Sequence, residues 1–228
     1  MLNEKQRLFD ACKEDPSLIF TYIKQGQYSD VEEILLNNIV SINQVDVVGN
    51  DVMTRLLKAK QYDLVIELMK KKNWNVNNQN IEGNTFAHIL ACDNSVMAVK
   101  VAEHLTKKSN YIPNIKNNNG DTALDLALRN NYPCLAFKIL EDKRFNNISM
   151  FSFKNLFNIT VSNKLYGKYS KISNLEIIVG SLEKKDLDKD LRDLIRYIRN
   201  NMEAIKNTIL NNRAIILDNI INNSLVEA

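Results

Sequence analysis

Apolar residues recur along this chain three and four positions apart, in short runs separated by polar stretches that carry glycine. Val31, Ile34 and Leu35 fall on one face of a helix, and Val65, Leu68 and Met69 fall on an equivalent face further on. The pattern predicts a recurring unit: a polar, glycine-containing turn, a short apolar helix, a brief polar break and a second, amphipathic helix. Neither helix is long enough to bury its apolar face alone, so pairs must lean on their neighbours. After residue 146 the pattern changes. "ISMFSFKNLFNI" brings Phe151, Phe153 and Phe157 together, suited to covering the open face of a last unit. From Leu187 apolar residues recur at Leu191, Leu194, Ile198, Met202, Ile205, Ile209, Ile216 and Ile220, a heptad-type helical stripe. Gly180 is a candidate stop ahead of this stripe, and the pairs Asn200–Asn201 and Asn211–Asn212 are candidate breaks within it.

The units are self-similar. "INQVDVVGNDVMTRLL" set above "VNNQNIEGNTFAHILA" places Asn43 on Asn77, Asp46 on Asn80, Gly49 on Gly83 and Asn50 on Asn84, with an offset of 34 residues. A third turn, "PNIKNNNGDTALDLA", places Asn117 on Asn80, Gly120 on Gly83 and Thr122 on Thr85 at an offset of 37, the extra length being assigned to the second helix and loop of the middle copy. Upstream, "QGQYSDVEEILL" aligns with "AKQYDLVIELMK", again 34 apart, so about four copies are expected.

"GNTFAHILA", Gly83 to Ala91, resembles the Gly-x-Thr-x-x-His-x-x-Ala signature of the ankyrin-repeat family. "GDTALDLA" keeps Gly120, Thr122 and Ala127 but has Asp125 where the histidine stands, and "GNDVMTRLL" keeps Gly49 with Asp51 and Thr54 in the threonine and histidine places. The proline that usually follows the threonine is absent from all three. The resemblance spans roughly residues 5 to 145 and implies an all-α, ankyrin-type helical repeat solenoid (residues 1–145) with a helical C-terminal extension (146–228). It also implies structural roles for Gly49, Gly83, Thr85, His88, Gly120 and Thr122, the histidine knitting turn to helix.

Composition narrows the function classes. With 228 residues, 45% hydrophobic and 25% charged, the chain can bury a substantial core. Its 30 Lys and Arg nearly balance 27 Asp and Glu, so no global field draws it to nucleic acid or an anionic membrane. Three cysteines without paired spacing fit a reducing compartment better than a disulfide framework or a zinc site. The N-terminus lacks a signal-like apolar run, and no segment reaches the roughly 18 uninterrupted apolar residues of a membrane span. An intracellular protein, of the cytoplasm or nucleus, without membrane insertion, is expected.

Candidate chemistry is sparse. Glu82, His88 and Cys92 could be read as orienting acid, base and nucleophile, but a glycine turn separates the acid from the histidine and no other copy repeats the trio, so His88 is read as structural. The second histidine, His104, sits on a helix without metal-ligand spacing, and no phosphate-binding glycine pattern occurs among six glycines. Neither cofactor nor metal nor catalytic residues are expected. The runs Lys70–Lys72 and Lys107–Lys108 end second helices, where cations complement the helix dipole; Lys184–Lys185 is equally short. Trp74, in the link between copies, is expected to pack on the next repeat.

The resemblance implies that turn tips and first helices form a surface for protein partners. Val47, Val48, Ile81, Glu82, Asn118 and Asn119 would stand on the tips, and Arg55, Lys58, Asp93, Arg129 and Asn130 on the groove side. An apolar ridge rimmed by charge suits a protein partner. The expected function is a non-catalytic scaffold, adaptor or inhibitor. The alternatives are an enzyme using C-terminal carboxylates such as Asp186, Asp188, Asp190 and Asp193, and a transcription-linked regulator. The stripe at 187–220 is also a candidate oligomerisation helix, although Ile195, Leu210, Ile215 and Leu217 lie off it and favour packing within the chain.

Overall fold

The computed structural model describes residues 4–130, 132–140, 142, 144, 179–180, 182 and 189–203. These form helices α1 (Glu4–Glu14), α2 (Leu18–Lys24), α3 (Tyr28–Leu36), α4 (Val52–Lys58), α5 (Tyr62–Lys71), α6 (Phe86–Leu90), α7 (Val96–Leu105), α8 (Ala123–Arg129), α9 (Pro133–Leu140) and α10 (Lys189–Asn200). The described residues are all-α; the one antiparallel bridge among them, Val45 to Asp51, closes a turn.

The helices follow a fixed rhythm. First helices start at Leu18, Val52, Phe86 and Ala123 and second helices at Tyr28, Tyr62, Val96 and Pro133, so successive pairs are 34, 34 and 37 residues apart. The three additional residues do not lengthen the second helix of the middle copy, as the alignment had allowed, because α5 and α7 both have 10 residues. They lie in the following loop, where the Lys108 N–H bonds the Leu105 carbonyl (2.9 Å) and the Tyr111 N–H bonds Lys108 (3.2 Å). That added turn returns the chain to register, and Tyr111 is buried in the place that Trp74 takes one copy earlier.

Several first helices end in the same way. Beyond α2 and α4 the next residues, Gly26 and Lys60, take left-handed backbone (φ +78 and +58). The following N–H groups, of Gln27 and Gln61, bond Tyr22 and Leu56, both at 3.0 Å, closing the Schellman pattern that satisfies terminal carbonyls. The Tyr132 N–H makes the corresponding bond to Ala127 after α8 (2.8 Å). The second helix then runs back along the first, and pair packs on pair: α2 on α4, α4 on α6 and α5 on α7. Ile19, Val52, Leu56, Leu68, Phe86 and Val101 are buried between them.

The chain divides into two compact units, residues 1–123 and 124–228, with the division inside α8. In the second unit α9 buries Leu135, Ala136, Ile139 and Leu140. Helix α10 buries Leu191, Leu194, Ile195 and Ile198 and exposes Lys189, Arg192, Arg196 and Arg199. The described part of the heptad stripe therefore turns its apolar face into the chain, with the off-stripe Ile195 buried alongside, and presents charge to solvent. Gly180 is helical. The aromatic run of Phe151, Phe153 and Phe157, the lysines at 184 and 185, Leu187, Asn211, Asn212 and the stripe beyond Met202 lie outside the described residues.

Glycine at the turns carries a testable asymmetry. A Cβ on Gly83 (φ +73) would stand 2.7 Å from the Asn118 backbone nitrogen, whereas one on Gly120 (φ +80) meets nothing within 4 Å. Gly120→Ala should cost only backbone strain, about 1 kcal/mol, and Gly83→Ala at least 1 kcal/mol more, because the adjoining turn must move. Urea denaturation followed by circular dichroism reads the difference; equal losses would mean that the turns are not in contact.

Candidate functional site

Three turns hold the candidate surface, and each is organised by one side chain. Oδ1 of Asp46 accepts the N–H groups of Val48 (3.0 Å) and Asn50 (2.9 Å); Oδ1 of Asn80 accepts those of Glu82 (3.0 Å) and Asn84 (2.9 Å); Oδ1 of Asn117 accepts those of Asn119 and Asp121 (both 3.0 Å). The main chain repeats as faithfully, with the Gly49, Gly83 and Gly120 N–H groups bonding the carbonyls of Asp46, Asn80 and Asn117 at 2.9, 2.8 and 2.9 Å. All three glycines have positive φ, between +73 and +80, so these are superposable bends.

Adjacent turns are stitched together. Nδ2 of Asn80 donates to Asn50 Oδ1 (3.0 Å) and Nδ2 of Asn117 to Asn84 Oδ1 (2.9 Å), while the Ile81 and Asn118 N–H groups bond the carbonyls of Val48 (3.1 Å) and Glu82 (3.0 Å). Asparagine can do both jobs, accepting on oxygen within its own turn and donating on nitrogen to the turn before. Asp46 has only acceptors, and its second oxygen instead takes the Arg55 guanidinium.

The motif residues of the middle copy prove to be a capping device. Thr85 caps α6, and His88 Nδ1 accepts the Thr85 N–H (3.1 Å) in a capping box. Nε2 faces the Asp121 carbonyl (2.9 Å), which can only accept, so the proton resides on Nε2. With both nitrogens engaged and the ring 1% exposed, His88 joins helix to turn and one copy to the next. The Glu82 carboxylate takes the Asn84 amide (2.8 Å), and Cys92 Sγ faces the His88 carbonyl (3.5 Å). His104 Nδ1 bonds the Lys100 carbonyl on its own helix (3.0 Å). Among the described residues no three His, Cys, Asp or Glu side chains gather as a metal site requires, and no helix is long and apolar enough to cross a membrane.

Asp51 stands in the place of Thr85 one copy earlier. It caps α4 by accepting the Thr54 N–H (2.7 Å), and its other oxygen accepts the indole N–H of Trp74 (2.8 Å). Trp74 is 2% exposed and meets Phe86 edge to face, with centroids 4.8 Å apart, so it is packed between copies as expected. Burial pushes the Asp51 carboxyl above its usual range, and the two donors only partly offset that.

On the tips, Val47 is 99% exposed and Ile81 67%; Val45 is 41% exposed. Val48 is half-buried, and Asn118 is used structurally, donating to the Ile81 carbonyl (2.9 Å); Asn119 is exposed, its N–H held by Asn117. The groove-side residues divide. Arg55 is committed to Asp46. Asp93 lies after α6, not on it, and accepts the Tyr62 hydroxyl and the Ser95 N–H (2.9 Å); burial works against its carboxylate, but these donors outweigh it and hold its pKa below the usual range. Lys58 is exposed, with one long bond to Asn50 Oδ1 (3.4 Å). Arg129 and Asn130 are exposed at the end of α8, in the second unit. Thr122 is buried.

The lysine runs cap the preceding copy's helix. Lys72 Nζ bonds the Leu36 carbonyl (3.1 Å) and Asn38 Oδ1 (2.8 Å) at the end of α3, and Lys108 Nζ bonds the Met69 carbonyl of α5. Lys71 pairs with Glu67 (2.6 Å). On α10, Asp193 lies between Lys189 (3.8 Å) and Arg196 (3.6 Å), as a solvated helix face does; Asp186 and Asp188 are outside the described residues. Not foreseen from the sequence were Lys60, the Asp46–Arg55 pair and the Asp51–Trp74 bond. The first had a signal, since it aligns with Gly26.

Comparison with protein-family models and with curated proteins gives no match.

Trp74→Phe removes the indole donor and leaves the Asp51 carboxylate to Thr54 alone. Because its folded pKa is raised, Asp51 favours the fold most below the unfolded value and loses that contribution as pH rises through the folded one. The variant should lose about 2–3 kcal/mol at pH 7 and less at pH 5, where protonation relieves the unpaired charge. Equal losses at both pH values, measured by chemical denaturation, would reduce Trp74 to packing alone.

Proposed function

We propose that this protein is a non-catalytic binding module of ankyrin type, holding a protein partner on its turn tips and the adjoining ends of its first helices. The reading draws support from the rhythm of about 34 residues, the helix pairs and the Gly-x-Thr-x-x-His-x-x-Ala stretch at Gly83. Catalysis would need groups left available for substrate, and the trio that first suggested it is engaged elsewhere.

One observation carries the proposal. Val47 and Ile81 project from adjoining turns that are held by Asp46, Asn80 and backbone bonds, so these two side chains are spared from the work of folding. Branched apolar groups on a pre-ordered ridge suit protein recognition, because the backbone entropy of the contact is lost on folding and not on binding. Lys58 lies nearby in the sequence pattern as a charged rim residue; Arg55 does not belong to that set, since its guanidinium holds the first turn.

Val47→Asp with Ile81→Asp tests this. Used as baits from the native cell beside the unchanged protein, the double variant should lose a partner that the unchanged chain retains, with affinity falling roughly thirtyfold or more and the melting temperature unaltered. Retention of every partner, or unfolding of the variant, would count against the tips as the contact surface.

A further inference from the structure

A cleft of about 280 Å³ opens in the first unit where the last residues of α4 face the end of α6, away from the turn tips in sequence. Leu57 and Ile89 supply apolar lining, and Lys58, Lys60, Cys92 and Asp93 supply the polar part. The volume lies just under the range of about 300–1,000 Å³ usual for small-molecule sites, which suits a single side chain better than a whole cofactor.

The two lysines are unlike the others at helix ends. Lys72 and Lys108 bond terminal carbonyls of a neighbouring helix. At the end of α4 those carbonyls are already taken by main-chain N–H groups, with Ala59 bonding Arg55 at 3.0 Å, Lys60 bonding Leu57 at 2.9 Å and Gln61 bonding Leu56 at 3.0 Å. Capping therefore does not explain the cations. The Lys58 ammonium has its long bond to Asn50, and the Lys60 ammonium acts through its charge on the Asp93 carboxylate, with no hydrogen bond between them among the described residues.

Lys60 is also held where lysine is disfavoured. Its φ of +58 is left-handed, and the same point of the preceding copy is occupied by Gly26. A side chain there costs about as much as any non-glycine residue in that region, and backbone strain of this kind commonly accompanies a functional role. Asp93, the one carboxylate of the cleft, directs its oxygens to Tyr62 and Ser95 and balances part of the Lys60 charge, so the opening carries two ammonium groups against one carboxylate.

We infer that this cleft receives a glutamate side chain of the partner protein, its methylenes resting on Leu57 and Ile89 and its carboxylate between Lys58 and Lys60. The inference rests on the protein-binding reading above and adds the chemistry of the partner: an extended segment carrying an acidic residue. Charge complementarity selects the carboxylate, and the apolar lining selects the longer acid over aspartate.

The test uses the full chain, isotope-labelled for amide NMR, titrated with N-acetyl-glutamate methylamide and, separately, with the glutamine and phosphoserine counterparts. The glutamate probe should move the amides of residues 57–60 and 92–94 progressively, the glutamine probe should not, and Lys58→Gln with Lys60→Gln should weaken the response about fivefold or more at unchanged melting temperature. Lys60→Gly should raise the melting temperature while weakening the same response, as expected if strain is retained for binding. Equal responses to glutamate and glutamine, no response up to the solubility of the probe, a glutamate response untouched by the lysine substitutions, or a stronger response to phosphoserine would each overturn the assignment. Because the probe carries no partner, its failure leaves the Val47 and Ile81 result to be judged on its own, and loss of partner through the tips with a silent cleft would retire this inference alone.

Discussion

The three turns that carry Gly49, Gly83 and Gly120 are each closed by a side-chain oxygen that accepts two backbone N–H groups from the following four residues. The constraint is severe: a turn with this many converging donors would otherwise leave them to water, and a glycine with positive φ must follow three residues on to bring them round. Asp46, Asn80 and Asn117 meet it in the same geometry, with accepting distances of 2.9 to 3.0 Å throughout. Where a preceding turn exists the residue is asparagine, which has nitrogen to spare for it. At the first turn it is aspartate, which recruits Arg55.

Around this motif the other long-range bonds reach from one copy to its neighbour. His88 reaches forward to Asp121, Tyr62 forward to Asp93, and Lys72 and Lys108 back to the helix ends before them, while Trp74 closes its own helix pair on Asp51. Stability in such an arrangement is a sum of units and of interfaces between nearest neighbours. It also separates side chains that hold the stack from those that do not. Val47, Ile81, Lys58 and Lys60 are conspicuous because the surrounding positions are so fully employed.

Much of this was legible in the residues themselves. The glycine and asparagine columns 34 and 37 apart identify the copies, since turn chemistry tolerates few substitutes, and the apolar spacing at Val31, Ile34, Leu35 and at Val65, Leu68, Met69 places the second helices. Partners were harder to read, because hydrogen bonds between copies, such as Asn80 to Asn50 and Lys108 to Met69, join residues 30 and 39 apart that share no local pattern. Arg55 and Asp93 therefore looked like groove charges, although one is bound to Asp46 and the other to Tyr62. The three extra residues were placed too broadly for a similar reason: sequence alone does not say whether α7 or its loop absorbs them. Lys60 was visible beneath Gly26 in the alignment, but its meaning required the left-handed backbone to be seen. Beyond residue 146 no column repeats, and the heptad stripe could be read as a packed helix or as an oligomerisation surface; burial of Leu191, Leu194, Ile195 and Ile198 favours packing for that stretch.

Backbone hydrogen exchange tests the shared turn most directly, since it reads each donor separately. The amides of Asn50, Asn84 and Asp121, held by side-chain oxygens, and those of Ile81 and Asn118, held by the neighbouring turn, should exchange as slowly as amides in the surrounding helices. Exchange of these five at the rate of an unstructured peptide, with the helices still protected, would contradict a stack organised by its turns.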